Sequence, residues 1–274
     1  MAKRIYMFII TLITCICVCA GIGIHIFGAL DDLWRWLQDD DNPVMDTQED
    51  WDVSGMTIDI DAHSLVMDVD VADVHVVYGM KFTVSYDATR ELEPIIEVKD
   101  DTLYISQKKG HKIIPSRQYC EIYVTIPEDL TLETCQLDVD VAEVTVKGIC
   151  AKDAEFRQDV GNLKVTDSRF SHVTTDLDVG NLEMENVTME NLNATLDTGD
   201  VKLTAVSAET FQVTSSIGDV DITTVDDCAS YGMDLQTDAG SVHVSGTKQG
   251  NSYFAEGKNK MLTVKSDIGD IHIR

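Results

Sequence analysis

Seven aspartates that share one position of a repeated motif are the residues best suited to chemistry in this sequence. The motif reads Asp, apolar, Gly or Ala, Asp or Asn or Glu, apolar, any residue, apolar, and its small residue recurs every 19 residues between 142 and 218. Stacked carboxylates would suit calcium, which prefers several oxygen ligands. The calcium hypothesis rests on the four evenly spaced members Asp140, Asp159, Asp178 and Asp197, and the whole aspartate column comprises Asp70, Asp140, Asp159, Asp178, Asp197, Asp238 and Asp267.

A structural role is the favoured interpretation of the aspartate column. A short carboxylate beside a turn can accept hydrogen bonds from turn amides. Such bonds would offset the repulsion between stacked carboxylates, which is roughly 1 kcal/mol per pair in water. The known calcium-binding β-roll repeats Gly-Gly-x-Gly-x-Asp every nine residues, and this sequence lacks that pattern. Calcium therefore stays the minority hypothesis, and no other cofactor is expected.

Catalytic constellations are weak in this sequence. It contains no GxSxG, no HExxH and no phosphate-binding glycine loop. The pairs Asp138/Asp140 and Asp176/Asp178 could mimic the clustered carboxylates of polysaccharide-active β-helix enzymes, but they occur in more than one copy, whereas an active site would break the repeat locally. His75, His243 and His272 share one motif position, and we expect the copies that hold them to lie far apart in the stack. We expect these histidines to face solvent, and we expect no enzyme.

The 19-residue period indicates stacked β-coils rather than a globular fold with one pocket. Period-two alternation from about residue 54 onward indicates strands, and no amphipathic helix follows residue 53. The small residue of the motif would turn a corner of the coil, because glycine accepts a positive φ and close packing. The corner residues predicted in this way are Ala142, Gly161, Gly180, Gly199, Gly218, Gly240 and Gly269.

Aligning the copies predicts which side chains stack in the core, with neighbouring coils about 4.8 Å apart. The predicted inward columns stand one residue before the small residue and two, four, seven and twelve residues after it. The first of these columns holds Val141, Val160, Val179, Thr198 and Ile217, and the column seven residues after holds Ile149, Ser168, Val187, Val206 and Val225.

Two segments depart from the regular period. The first copy, at Asp70, lies 70 residues ahead of the next one, which predicts that strands between 78 and 130 interrupt the stack. Asp100 and Asp101 mark a hairpin turn within that segment, and residues 108–117 form a basic loop. The last copy follows its predecessor by 29 residues, which indicates an inserted hairpin near residues 248–260.

Composition narrows the partners and the redox chemistry. A formal net charge of −27 repels nucleic acid and anionic lipid, and it fits basic partners or cations. Outside the N-terminal apolar run there are four cysteines without a CxxC pair, so zinc is not expected, while a Cys135–Cys150 disulfide stays open.

The N-terminal segment predicts a membrane anchor. Residues 5–30 contain no Asp, Glu, Lys or Arg and can cross a hydrocarbon core of about 30 Å as a helix. Lys3 and Arg4 precede this run and Asp31 follows it, which places the N-terminus in the cytoplasm and the bulk of the chain outside. A cleaved signal peptide is the alternative. The predicted divisions are a cytoplasmic tail at 1–4, a transmembrane helix at 5–30, an acidic linker at 31–53 and a β-solenoid domain at 54–274.

The coils resemble a known bacterial family. The stretch from Leu177 to Met184, with the strands at Ile96–Val98, Thr102–Ile105 and Ile122–Ile126, is similar to the β-strand-repeat family labelled putative adhesin, a domain of unknown function. The resemblance covers about residues 54–274. It implies a β-solenoid at the bacterial cell surface, often membrane-anchored and associated with envelope-stress loci, and it implies no catalytic residues.

The expected protein is therefore a single-pass membrane protein with an extracytoplasmic, all-β solenoid. We expect a non-catalytic module, adhesin-like or associated with envelope stress, that binds an envelope protein or a glycan. The end coils offer a route to self-association, because an open solenoid end presents unpaired strand edges. The alternatives are a polysaccharide-active β-helix enzyme, a calcium-stabilised scaffold, and a regulator of a membrane signalling partner that acts through residues 1–52.

Overall fold

The computed structural model describes residues 52–57, 60–108, 119–256 and 259–274. The predicted transmembrane helix at 5–30, nearly all of the acidic linker, and residues 109–117 of the predicted basic loop lie outside these ranges. Within the described residues, no helix is both long enough and apolar enough to cross a membrane.

The described chain consists of β-strands with two short 3₁₀ turns at Arg90–Leu92 and Cys228–Ser230. The strands, in chain order, are β1 Asp52–Thr57, β2 Ser64–Val71, β3 Asp73–Gly79, β4 Thr83–Thr89, β5 Ile95–Lys99, β6 Thr102–Ser106, β7 Cys120–Pro127, β8 Thr131–Val141, β9 Val144–Lys147, β10 Cys150–Val160, β11 Leu163–Thr166, β12 Arg169–Val179, β13 Leu182–Glu185, β14 Asn191–Thr198, β15 Val201–Val206, β16 Thr210–Ile217, β17 Val220–Thr224, β18 Tyr231–Ala239, β19 Val242–Val244, β20 Thr247–Gly250, β21 Ser252–Ala255, β22 Lys260–Ile268 and β23 Ile271–Ile273.

Two sheets run along the stack and enclose the core. Sheet A has the strand order β1-β4-β7-β3-β9-β11-β13-β15-β17-β23-β19-β20, and sheet B has the order β21-β18-β22-β16-β14-β12-β10-β8-β2-β6-β5. One coil consists of a strand of sheet B, a corner, a strand of sheet A and a second corner. Successive coils pair in parallel and in register, as Leu163 does with Leu182. The all-β, parallel, solenoid-like architecture predicted from the period is confirmed.

The core follows from period-two alternation within each strand. In β10 the side chains of Ala154, Phe156 and Gln158 are buried between the sheets, while their neighbours face outward. Leu163 and Val165 of β11 are buried from the opposite sheet. Each side chain packs on its equivalents in the coils above and below, so a coil depends on its neighbours for burial, as repeat architectures do.

The first corner of the coil brings backbone onto backbone. Gly199 has a φ of 143°, a conformation that side chains with a Cβ rarely adopt. A Cβ at Gly199 would lie 1.8 Å from the carbonyl oxygen of Gly180 in the neighbouring coil. Two physical requirements, backbone conformation and contact distance, therefore both select glycine at this corner.

The second corner was missed at the sequence level, although it has its own signal. The column six residues after the small residue takes a left-handed conformation, with φ of 70° at Gly148, 53° at Asp167, 56° at Asn186 and 52° at Ala205. Gly, Asp and Asn tolerate this region better than other residues do. Three members of the column are of these types, so the same 19-residue alignment contained the information.

The column directly before the glycine points outward, and the prediction that it faces the core is wrong. Val141, Val160, Val179 and Ile217 are exposed. These residues stand where the strand of sheet B ends and the chain turns, so the alternation that held up to the buried Val139 stops applying. Val225 is also exposed, whereas Ile149, Ser168, Val187 and Val206 of its column are buried as predicted.

The stack does not follow chain order at either end. Val74 of β3 pairs directly with Val144 of β9, so the prediction that strands 78–130 interrupt the stack is wrong. Near the other end, β23 lies between β17 and β19, and β22 lies between β16 and β18. The copy at Asp267 is thereby inserted between the copies at Ser216 and Asp238.

Antiparallel strands finish both ends of the stack. At one end β4 and β1 complete sheet A and β5 completes sheet B; at the other, β20 pairs with β19 and β21 with β18. The inserted strands predicted near 248–260 are present as β20 and β21, but they do not pair with each other as a hairpin, because β20 joins β19 in one sheet and β21 joins β18 in the other. The turn at Asp100 and Asp101 is confirmed, with φ of 49° and 63°, and it joins the antiparallel strands β5 and β6.

The four described cysteines carry free thiols, so the Cys135–Cys150 disulfide does not form. Burial raises the pKa of the Cys135 thiol to about 12. The pKa of Cys120 is likewise raised to about 12, mainly by burial, against a lowering effect of its hydrogen bond with Gln107. Both thiols therefore stay protonated at neutral pH and serve as small apolar core groups.

Candidate functional site

An exposed row of β-branched side chains runs along the first corner of the stack. We call it the aliphatic ridge, and its members keep between 39% and 53% of their surface in solvent: Val141, Val160, Val179, Ile217 and Ile268. Strand register aligns them, since Val160 pairs with both Val141 and Val179, and Ile217 pairs with Ile268. Thr198 stands between Val179 and Ile217 in the same row.

The aspartate column lies directly beside the aliphatic ridge, one residue earlier in each copy. Asp159, Asp178 and Asp197 are exposed. The pKa of Asp178 is raised, first by partial desolvation and then by the negative charges of Asp159, Asp197 and Asp176. Asp178 therefore experiences like-charge repulsion from its neighbours in the column.

The side chains directly after the glycine, rather than those of the aspartate column, accept hydrogen bonds from the turn amides. Asn162 Oδ1 accepts from the amide of Asn181 at 2.9 Å, Asn181 Oδ1 accepts from that of Asp200 at 2.9 Å, and Asp200 Oδ1 accepts from that of Asp219 at 2.9 Å. The series continues from Asp219 Oδ1 to the amide of Asp270 at 2.7 Å, and from Asp270 Oδ1 to that of Ser241 at 2.7 Å. We call this series the corner ladder.

The corner ladder takes over the role that the sequence assigned to the aspartate column. The side chains of Asp159, Asp178 and Asp197 accept no hydrogen bond from a turn amide within the part of the chain that the structure describes. The reason is one of position, because the residue after the glycine faces the amide of the next coil whereas the aspartate two residues before it still belongs to the outward face of the strand. Short Asn and Asp side chains directly beside the glycine suit the ladder, because they can reach nearby backbone amides.

A metal centre requires several ligands to converge on one point. In the described ranges, no group of three or more His, Cys, Asp or Glu side chains is arranged to hold a metal ion. Asp140, Asp159, Asp178 and Asp197 instead form a line, one carboxylate per coil. Calcium at these four residues stays a prediction.

The carboxylates considered for polysaccharide chemistry come together on the outer face of sheet B. Asp138 and Asp176 lie in register on either side of Arg157, and Arg157 forms an ion pair with Glu155 of its own strand. The open depression lined by His63, Lys81, Phe82 and Asp129 lies elsewhere. The arrangement is a row of charges on an exposed face, repeated from coil to coil.

The histidines at the shared motif position do not all lie far apart, so that part of the expectation is wrong. Insertion of the Asp267 copy places His272 beside His243, with ring centroids 4.8 Å apart. His75 stacks on Tyr123 at 4.6 Å near the other end. His272 Nδ1 lies 3.5 Å from Asp221 Oδ1, and His243 Nε2 lies 3.0 Å from Ser241 Oγ.

A hydrogen-bonded cluster around Asp226 could not be predicted from the 19-residue repeat. Asp226 Oδ2 accepts from Lys260 Nζ at 2.5 Å, from the Tyr231 hydroxyl at 3.2 Å and from the Ser207 hydroxyl at 3.2 Å. These bonds, led by the one from Lys260, lower the pKa of Asp226. The cluster joins the loop after β17 to the start of β22, and it thereby holds the inserted copy in place.

The sequence of the whole stack matches one family. The family model Toastrack DUF4097 aligns with residues 57–274. The chain belongs to this family. The toastrack assignment confirms the resemblance to a bacterial putative-adhesin domain of unknown function. Among proteins of curated function, none matches this sequence.

Solved structures resemble this toastrack chain over the same region. A putative adhesin from Bacteroides fragilis NCTC 9343 is 14% identical with a TM-score of 0.55, and the alignment covers 81% of this chain and 97% of that one. A putative cell adhesion protein from Clostridium sporogenes ATCC 15579 is 15% identical with a TM-score of 0.40, covering 81% and 98%. A putative lipid binding protein from Parabacteroides distasonis ATCC 8503 is 14% identical with a TM-score of 0.33, covering 81% and 97%. The first of these supports a shared fold.

Proposed function

We propose that this toastrack domain is a non-catalytic interaction module of the bacterial cell envelope that engages its partner along the first corner of the stack. The observation that carries the proposal is the aliphatic ridge. Contiguous exposed apolar groups on a soluble surface mark interaction sites more often than scattered ones do. In strand register the ridge runs through three successive coils up to Val179 and, beyond Thr198, through two more, so it offers an aligned contact line rather than scattered side chains.

The repeat itself favours binding over catalysis. A catalytic centre needs a few groups at fixed distances around one reacting bond. Here the acidic groups recur with the coil, as Asp140, Asp159 and Asp178 do beside the ridge. A surface on which each coil presents nearly the same groups suits an elongated partner.

The placement in the envelope rests on the N-terminal sequence and on the relatives. Residues 5–30 would anchor the chain in the membrane, with residues 1–4 in the cytoplasm and the toastrack domain outside. A neighbour described as a putative adhesin favours a surface-exposed domain. The partner that we propose is an envelope protein or a glycan. The biological setting that we propose is adhesion or the response to envelope stress.

Photocrosslinking in cells tests the module. The full-length chain, with a photoreactive amino acid at position 160 or 179 on the aliphatic ridge, would be expressed in the source bacterium and irradiated. We expect discrete crosslinked adducts from these positions and none from the control position 225, which is also a valine and is more exposed but lies off the ridge. Equal adducts from 160, 179 and 225 would contradict a binding role for the ridge.

Glycan turnover separates this proposal from the polysaccharide-enzyme alternative. Purified protein incubated with envelope polysaccharides should release no products. If products form, and if Asp138→Asn or Asp176→Asn alone abolishes them, the chain is an enzyme with a local site. Co-purification of membrane partners with and without residues 1–52 tests the regulator alternative in the same way.

Self-association through the ends of the stack is a separate part of the proposal. The outermost described strands are β1 and β5 at one end and β20 and β21 at the other. Phe254 of β21 is 72% exposed, which is unusual for an aromatic side chain on an edge strand. A fall in oligomer size on Phe254→Ser, measured by light scattering, would support end-to-end association.

A further inference from the structure

We propose that the aliphatic ridge and the acidic columns on its two flanks bind a cationic amphipathic polypeptide segment, in which Lys or Arg alternates with apolar side chains. This inference rests on the proposed function, because it names the partner of the same surface. The partner must carry both apolar groups and positive charge, and each of these two requirements comes from a separate feature of the corner.

The turn at the corner does not need aliphatic side chains at the ridge positions, and this indicates that the partner carries apolar groups. Thr198 and Ala239 occupy the same position as the ridge valines and isoleucines in two of the coils, so the backbone turn accepts a polar or a small residue there. A β-branched aliphatic side chain left half exposed contributes less to folding than a buried one. A partner that covers the ridge would remove this apolar surface from water.

The charge requirement follows from the two flanks. On the sheet B side stands the aspartate column, and on the sheet A side the corner ladder becomes fully acidic at Asp200, Asp219 and Asp270. Of the cations at equivalent outward positions, Arg157 pairs with Glu155 and Lys164 with Glu183. Lys202 and Lys265 form no ion pair within the described residues, so the carboxylates of the two flanks outnumber the cations beside them. Partial desolvation and then the negative charges of neighbouring aspartates raise the pKa of Asp178, so a positive group placed beside the column would be stabilised.

The same charges disfavour the other occupants of such a strip. Two copies packed ridge to ridge would bring acidic flanks against acidic flanks. An anionic lipid surface would be repelled by flanks of the same sign and by a chain of net charge −27. A neutral glycan would leave the carboxylates without a counter-charge. Only a partner with positive charge and apolar groups satisfies both features.

Fluorescence anisotropy with the full chain in nonionic detergent tests the proposal. The probe is a labelled twelve-residue peptide of alternating Lys and Val, compared with an alternating Lys–Ser peptide and an alternating Glu–Val peptide. We expect saturable binding of the Lys–Val peptide, at least about tenfold weaker binding of the other two, and weakening of the Lys–Val complex with added salt.

Variants assign the binding to the corner. Val160→Thr with Val179→Thr copies the residue that the ridge already has at 198, and Asp159→Asn with Asp178→Asn neutralises two members of the column. Each pair should weaken Lys–Val binding about tenfold. The matched controls Val225→Thr and Glu209→Gln change an aliphatic and an acidic residue away from the ridge, and they should leave binding unchanged.

Each other outcome contradicts the proposal in a recognisable way. Equal binding of the Lys–Ser and Lys–Val peptides would mean that the ridge adds nothing to charge. Preferential binding of vesicles containing anionic lipid, or unchanged binding by the threonine pair despite a lower melting temperature, would also overturn it. If no peptide binds while crosslinks from 160 and 179 still form in cells, this partner class is wrong and the proposed function stands; if the crosslinks also fail, both are wrong.

Discussion

Gly199 lies directly against Gly180 of the neighbouring coil, so closely that a Cβ on Gly199 would be 1.8 Å from the Gly180 carbonyl oxygen. Gly199→Ala must therefore push two hydrogen-bonded coils apart and also occupy a φ of 143°. We expect a loss of roughly 3–5 kcal/mol in the free energy of unfolding. Thermal unfolding followed by circular dichroism should show a fall of roughly 10 °C for a domain of this size.

The matched control for this corner is Gly246→Ala. Gly246 also has a positive φ, 75°, but no atom would lie within 4 Å of its added Cβ. It should lose only about 1–2 kcal/mol, the conformational cost alone. Equal losses for the two variants would show that contact between coils does not select glycine.

The corner ladder predicts a graded response at Asn181. Asn181→Ala removes the acceptor for the Asp200 amide and the donor to Asn162 Oδ1, which should cost about 1 kcal/mol for each net hydrogen bond. Asn181→Asp keeps the acceptor but adds a carboxylate beside Asp200, so it should lie between wild type and Asn181→Ala. Its melting temperature should rise toward that of wild type in high salt.

Asn193 supplies the control for the ladder. It lies on the outer face of β14, and its side chain makes no hydrogen bond within the described residues. Asn193→Ala should change the melting temperature by less than about 2 °C, since exposed substitutions usually change stability by less than about 0.5 kcal/mol. A loss at Asn193 as large as that at Asn181 would argue against a ladder.

The raised pKa of Asp178 predicts that removing its charge stabilises the protein. A carboxyl group whose pKa is higher in the folded state than in the unfolded state destabilises the fold above that pKa, and the cost disappears as the pH falls through it. Asp178→Asn should therefore raise the melting temperature at neutral pH. Solvent screens this exposed group, so the gain should be on the order of a few tenths of a kcal/mol. It should shrink in high salt, which screens the neighbouring charges but does not remove the desolvation, and it should vanish near pH 3; a loss of stability at neutral pH would contradict the argument.

If calcium binds the aspartate column, its carboxylates would stabilise the fold and their removal would lower the melting temperature. If calcium bridges the aspartate column, millimolar calcium should raise the melting temperature of wild type relative to chelator, and Asp159→Asn with Asp178→Asn should abolish the rise. An unchanged melting temperature in wild type would contradict the calcium-stabilised scaffold. Magnesium provides the control for general charge screening, because it prefers octahedral geometry with retained waters.

The Asp226 cluster predicts a pH-dependent attachment of β22. The pKa of Asp226 is lowered in the folded protein, chiefly by Lys260. Its contribution is thus fully present above the unfolded pKa, near 4, and is lost as the pH falls through the folded value. Asp226→Asn should cost about 1–2 kcal/mol at pH 7, and the difference from wild type should shrink toward pH 3. Glu209→Gln is the exposed acidic control, and a pH-independent difference would contradict the ion pair.

The repeat predicted much of what depends on one coil and its immediate sequence neighbours, although the second corner, which is equally local, was missed. The stacking of equivalent residues, the burial of Leu163 and Leu182, and the turn at Asp100 and Asp101 all follow from local alternation or turn chemistry. The glycine column followed from conformational freedom, although its close contact with the neighbouring carbonyl requires the stack itself.

The remainder depended on relationships that a period cannot contain. Whether Val160 faces in or out is decided by where the strand ends, a shift of one residue. The ladder at Asn181 requires knowledge of which amide lies above it. The proximity of His243 and His272 arises because a later segment enters between earlier ones, and no local pattern in the chain marks that insertion.

The insertion of the Asp267 copy between earlier copies determines the order in which the coils can assemble during synthesis. Strands β18 and β19 are synthesised before β22 and β23, yet they pair in parallel only with those later strands. While the chain is emerging, the coil at Asp238 can pair only with the antiparallel strands β20 and β21 and has no parallel coil on which to stack, and the edge of β16 and β17 stays open until residues 260–273 arrive. The stack is therefore completed in a late step, in which residues 260–273 join two preformed edges at once. Misfolding or capture by a chaperone would occur at this step.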